Sequence, residues 1–301
     1  MKLISGKSSF ELASHIASRL GKPLTKANLI KFPSHEVKVE IENNCRGKNI
    51  CIIQSTSPFP NDSLMELFFL IDAVKRLQPK SISLALPYLS YARQDHKLLD
   101  GESIAINCVA NLLKSTGIHN IIVVDIHSEK AQSFFEIPFV NIETTDLFAE
   151  AVKEHKHKNE QIVIVSPDEG GRTRAVNLSN KLNVPYAIIK KQREKSGAVK
   201  ALTIDKEVKD KTCYLVDDII DTAHTLLAAT NLVLNKGAKK VHACVTHGIF
   251  SHDALEKINN SPLQSLIITN TIDVVLAIKS RKIKIVDIAS LLAKQITLLE
   301  R

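Results

Sequence analysis

The feature that most constrains the fold is an alternation of two patterns. Short apolar, β-branched runs recur along nearly the whole chain, separated by longer segments whose apolar residues fall three and four apart. Lys2–Ser5, Asn49–Gln54, Ser81–Leu86, Ile121–Asp125, Gln161–Val165, Tyr186–Ile189, Thr212–Val216, Val241–Thr246 and Leu266–Thr269 read as strands. They lack the polar alternation of a half-exposed strand, so they read as buried on both faces, as in a parallel sheet. Between them, Asp62–Leu77, Ile104–Ser115, Arg172–Leu182 and Thr222–Asn235 carry helical spacing, and Gly237 stands where the last should stop. Strand and helix in alternation predict an α/β architecture of two similar lobes, each a mainly parallel sheet flanked by helices. The charged stretch Glu150–Glu160 marks a boundary, giving lobes 1–146 and 147–301, with the last helix packing back on the first lobe. His155 and His157 lie there among lysines, which reads as a solvated helix end rather than a metal site.

Composition narrows the class. Hydrophobic residues at 44% and charged residues at 24% exclude a disordered or low-complexity chain. No apolar run approaches the ~18–20 residues of a membrane span, and the N-terminus has no secretory pattern. Five cysteines without a Cys-x-x-Cys pair read as free, mostly buried thiols in a reducing cytoplasm. The formal charge is +8, but the lysines are dispersed and no aromatics interleave with them, as a nucleic-acid strip would require. Phosphorylated small molecules fit that surplus better than nucleic acid or a membrane.

The segment Tyr214–Thr225 is the most specific. An apolar strand ends in Asp217 and Asp218, Asp221 follows, and Thr222 and Thr225 open a helix. Ligands of open α/β sheets bind at the carboxyl ends of strands. Free amides at a helix start, with threonine hydroxyls, suit a phosphate. Carboxylates accept from sugar hydroxyls or bind hard cations through oxygen. A phosphorylated ribose with magnesium satisfies both halves.

Asn61–Leu67, Pro87–Asp95 with its Tyr-Ala-Arg-Gln-Asp, Val124–His127, Ser166–Asp168 and Thr246–Ser251 accompany this loop. Together, over nearly the whole chain, they resemble the ribose-phosphate pyrophosphokinases, a family of the phosphoribosyltransferase fold. The resemblance implies transfer of the β,γ-diphosphoryl group of ATP to the C1 hydroxyl of ribose 5-phosphate, releasing AMP. It implies that Arg93 and Gln94 hold the ATP phosphates, an arginine fork being suited to paired phosphate oxygens. It assigns His127 to ATP and magnesium and Asp168 to magnesium, and Asp217, Asp218, Asp221, Thr222, Ala223, His224 and Thr225 to ribose 5-phosphate. Lys191 and Arg193 match a catalytic pair on a mobile loop, where cations would neutralise charge moving toward the leaving group, Arg193 also touching the sugar phosphate. Mg²⁺ is the implied cofactor, and a homo-oligomer, dimer to hexamer, the implied assembly. In it the adenine-contacting segment Phe32, Ser34, His35, Glu36 would serve a neighbouring subunit.

The chain departs from the family in two places. Ser34 replaces the usual aspartate that takes the adenine amino group, and Ala223-His224 replaces the usual Gly-Gly. A serine hydroxyl accepts that hydrogen bond more weakly than a carboxylate. These departures favour one rival, a silent homologue that regulates an active partner; the other, a phosphoribosyltransferase that consumes the product, is opposed by Arg93, Gln94, His127 and the whole first lobe. Retention of Lys191 and Arg193 favours the active enzyme.

Overall fold

The computed structural model describes residues 1–41, 45–156, 160–193, 199–273 and 280–300, with the side chains at 191–193 and 199–201 outside that description. The chain divides into two compact units: Met1–Ile142 with Thr271–Asp273 and Asp287–Arg301, and Glu143–Asn270 with Val274–Val286.

The first unit runs β1 (Lys2–Ser5), α1 (Phe10–Leu20), β2 (Leu24–Lys26), β3 (Asn28–Lys31), β4 (Val37–Glu40), β5 (Asn49–Ile53), α2 (Pro60–Arg76), β6 (Ser81–Leu86), α3 (Ala105–Ser115), β7 (Asn120–Val124), α4 (Glu129–Ser133) and β8 (Phe139–Ile142). Its main sheet has the order β2-β1-β5-β6-β7-β8, every pair parallel. Ile50, Ile52, Leu84, Leu86 and Ile121 are wholly buried in it. Each such side chain contributes roughly 1.5–3 kcal/mol of burial. Pro60 opens α2, where its missing amide hydrogen has no helical partner to lose. The antiparallel pair β3–β4 stands apart as a short hairpin.

The second unit holds α5 (Thr145–His155), β9 (Ile162–Ser166), α6 (Arg172–Leu182), β10 (Tyr186–Arg193), β11 (Val199–Ile204), β12 (Thr212–Ile220), α7 (His224–Asn235), β13 (Lys240–Gly248), α8 (Ala254–Asn260), β14 (Ser265–Thr269) and β15 (Ile283–Val286). Its sheet order is β11-β10-β9-β12-β13-β14-β15, parallel but for β11 at the edge. The last helix, α9 (Ala289–Leu298), belongs to the first unit, where it packs on α1 and Glu300 pairs with the Met1 amino group at 2.5 Å.

Three local expectations change. Both functional strands are longer than the apolar pattern: β12 runs through Asp217 and Asp218 to Ile220, and β10 continues through the polar Lys190–Arg193. In each case backbone pairing with a neighbour, β13 or β11, overrides weak side-chain preference. Helix α7 starts at His224 rather than Thr222. His155 is not a solvated helix end. It is half-buried, with Nδ1 3.1 Å from the Tyr214 hydroxyl and its ring centroid 4.7 Å from that of His242. A fully buried tyrosine needs a polar partner, and the histidine supplies one. His157 lies outside the described residues.

Candidate active site

In the second unit, parallel pairing of β9, β12 and β13 brings their carboxyl ends to one edge. Asp217 and Asp218 stand near the end of β12, with Asp217 in register with Val245. Asp218 is 3% exposed, and Arg174 of α6 places Nη2 3.3 Å from its Oδ2. The Asp218 amide donates to Asp217 Oδ1 at 3.0 Å. Burial first, and then the charge of Asp218, push the Asp217 carboxyl well above the usual carboxylate range; Arg174 opposes this and Asp168 adds to it.

Asp168 follows β9 on the same edge, its Oδ1 accepting from the Gly171 amide at 3.3 Å. Gly171 cannot carry a side chain here, because a Cβ would lie 2.6 Å from Ser166 Oγ. Gly171 thus makes a tight start to α6. Three carboxylates gathered with one guanidinium leave a surplus of negative charge made of hard oxygen donors. Among the described residues no group of three or more His, Cys, Asp or Glu side chains is placed to hold a metal ion by itself. That donor set fits magnesium, which usually takes one or two carboxylates and completes its shell with water and substrate phosphate.

After Asp221 the chain turns through Ala223 at φ 65 into α7, whose start has no side-chain cap. The first-turn amides and the hydroxyls of Thr222 and Thr225 therefore gather where a strand of carboxylates ends. His224 Nδ1 lies 3.1 Å from Thr222 Oγ1, and its Nε2 lies 2.9 Å from Nζ of Lys257 on α8. Lys191 and Arg193 sit on β10 itself, where it extends beyond its pairing with β9 and joins β11 antiparallel, with a register slip between Gln192 and Arg193. Their side chains lie outside the described residues.

In the first unit, the loop after β6 carries Arg93 and Gln94, both exposed, and the loop after β7 carries half-buried His127. Asp95 ties these loops together. It accepts from the Ser128 hydroxyl and contacts His96 Nδ1 at 2.6 Å. Burial alone would raise its carboxyl, but the hydrogen bonds from His96 and Ser128, with His127 nearby, hold it below the usual range. Phe32, 44% exposed, begins the β3–β4 turn, where Ser34 Oγ donates to Glu36 Oε2 at 2.9 Å and His35 takes φ 69. Sequence reasoning assigned no role to Asp95, Arg174 or Lys257. For Asp95 the signal was present, since it closes the Tyr-Ala-Arg-Gln-Asp run. The other two act through tertiary contacts that have no local spacing.

Residues 1–117 match the family described as the N-terminal domain of ribose phosphate pyrophosphokinase. Residues 129–300 match the phosphoribosyl synthetase-associated domain. Ribose-phosphate pyrophosphokinases of Fusobacterium nucleatum and Bacillus subtilis are each 40% identical to the chain, covering 98% of it and 94% and 93% of themselves. The crystal structure of phosphoribosylpyrophosphate synthetase from Mycobacterium smegmatis matches with a TM-score of 0.92 and 34% identity, covering 99% of this chain and 98% of that one. Matched end to end in sequence and in fold, the chain belongs to the ribose-phosphate pyrophosphokinase family.

Proposed function

We propose that this chain is a working ribose-phosphate diphosphokinase, joining the β,γ-diphosphoryl group of ATP to the C1 hydroxyl of ribose 5-phosphate and releasing AMP. The observation that carries this reading is the run from the β12 carboxylates straight into the uncapped start of α7. Acceptors for a sugar diol thus lie beside donors for its 5-phosphate. Thr222, Ala223, His224 and Thr225 bind the phosphate through hydroxyls and helix-start amides. Asp217, Asp218 and Asp221 accept from ribose hydroxyls, and Arg174 pairs with Asp218 and opposes the rise of the Asp217 carboxyl.

Arg93 and Gln94 hold the ATP phosphates, and Asp95 fixes their loop against that of His127. Phe32, Ser34, His35 and Glu36 form an exposed hairpin tip that contacts adenine in a neighbouring subunit of a homo-oligomer. His127 contacts ATP, and Asp168, on the edge that carries the β12 carboxylates, would supply an oxygen to magnesium. Magnesium, when bound, neutralises phosphate charge and polarises the transferring phosphorus. Lys191 and Arg193 stabilise the charge that develops on the bridging and departing oxygens. Among the described residues no helix is long and apolar enough to cross a membrane.

Phosphorus NMR of the protein with Mg²⁺, ATP and ribose 5-phosphate tests the reading. AMP with a new sugar-linked diphosphate signal is expected. ADP as the product would refute diphosphoryl transfer, and no turnover with any nucleoside triphosphate would favour the silent regulatory homologue.

A further inference from the structure

His224 opens α7 and its surroundings give it a task. The ring spans from the loop to a different helix: Nδ1 is 3.1 Å from Thr222 Oγ1, and Nε2 is 2.9 Å from Lys257 Nζ. Lys257 is held in turn by Asp253 Oδ1 at 2.8 Å, one turn earlier on α8. The hydrogen bond from Lys257 keeps the Asp253 carboxyl below the usual range.

The direction of each bond follows from donor chemistry. A lysine ammonium has only donors, so it must donate to Nε2. A neutral imidazole accepting at one nitrogen carries its proton on the other, so Nδ1–H donates to Thr222 Oγ1. A threonine hydroxyl has one proton. With a lone pair occupied by His224, that proton remains available to donate to a ligand at the start of α7. Every link therefore donates toward the same spot, and bonds in such a chain polarise one another. An anion seated there would meet a hydroxyl that is already oriented as a donor.

We propose that Lys257 and His224 form a donor relay that presets Thr222 to bind the 5-phosphate of the sugar substrate, and that they thereby set its affinity. The proposal rests on the reading of Asp221–Thr225 as the sugar-phosphate loop. In it Lys257 is a positioning residue, acting through His224 and Thr222 without touching substrate. The relay gives the loop a donor built from side chains of two helices.

Steady-state kinetics with ribose 5-phosphate as the varied substrate tests this. Lys257→Met removes the donor at similar length. It should raise KM for ribose 5-phosphate about fivefold, the worth of one net hydrogen bond, with kcat and KM for ATP moving less than twofold. His224→Gly should give a rise of the same size, and the double variant no further rise, because the second cut falls on a broken chain. Lys257→Arg, which keeps a donor, should recover most of the affinity. An unchanged KM in Lys257→Met, or multiplying effects in the double variant, would overturn the relay. Thr225→Val separates this from the site reading: it lies on the loop but outside the relay and should also raise KM for ribose 5-phosphate. If it does not, the loop assignment itself fails.

Discussion

Replacing Arg174 by methionine should destabilise the second unit and identify what holds the carboxylate cluster together. Asp218 has a 4% exposed side chain, and the Arg174 guanidinium 3.3 Å away is 23% exposed. Removing one partner of a buried ion pair strands the other charge, at a cost of about 3–5 kcal/mol. The partly solvated arginine places the loss at the lower end, about 3 kcal/mol. For a unit of this size each kcal/mol lowers Tm by about 2–4 °C, so the expected fall is about 6–12 °C. Arg174→Met also removes the one charge that opposes the rise of the Asp217 carboxyl. Adding Asp218→Asn removes the stranded charge and should return more than half of the loss, since residues in contact do not act additively. Differential scanning calorimetry at neutral pH without magnesium reads all three variants. A fall under 3 °C in Arg174→Met, or a double variant equal to the sum of the singles, would refute the claim that Arg174 sustains the buried carboxylates.

The other expectations are briefer. Lys191→Ala should lower kcat by about 10³-fold, as loss of a cation at a transferring phosphoryl group does elsewhere, and activity within tenfold would sink that assignment. Asp217→Asn should abolish turnover yet raise Tm at neutral pH, by about 1 kcal/mol of stability. The sign follows from the raised folded carboxyl. Its contribution to stability is complete below the unfolded value of about 3.9 and is lost as pH climbs through the folded value. Thermal scans should therefore show the variant's advantage growing from acid to neutral pH and shrinking when magnesium is added to the unsubstituted protein; an advantage largest in acid would contradict this. Ser34→Asp should lower KM for ATP severalfold by restoring a carboxylate acceptor, and an unchanged KM would remove Ser34 from the adenine contact.

Much of this was legible in the sequence, for identifiable reasons. All nine apolar runs are strands, because a strand buried on both faces must be continuously apolar and leaves a strong signal. The described strands that escaped are β2, β3, β4, β8, β11 and β15, and all but β11 are only three or four residues long, too short to leave a pattern. The hairpin strands β3 and β4 are half polar, and β11 is visible only through its pairing with β10. The polar end of β10 and the acidic end of β12 look like loops until their partners are known. The site divides similarly. Asp217–Thr225 is one contiguous segment and could be read directly. Arg174 lies 44 residues from Asp218 and Lys257 lies 33 from His224, distances that no local pattern encodes. Tyr214 lies in a run read as a buried strand, and its polar partner His155, 59 residues away, is equally beyond any local pattern.

The most direct test is a crystal structure of the protein grown with Mg²⁺ and ribose 5-phosphate. The account predicts the 5-phosphate on the Asp221–Thr225 loop, accepting from the hydroxyls of Thr222 and Thr225 and from the first amides of α7, with the ribose hydroxyls turned toward the β12 carboxylates. A sugar phosphate bound elsewhere, or one whose phosphate avoids the start of α7, would contradict it.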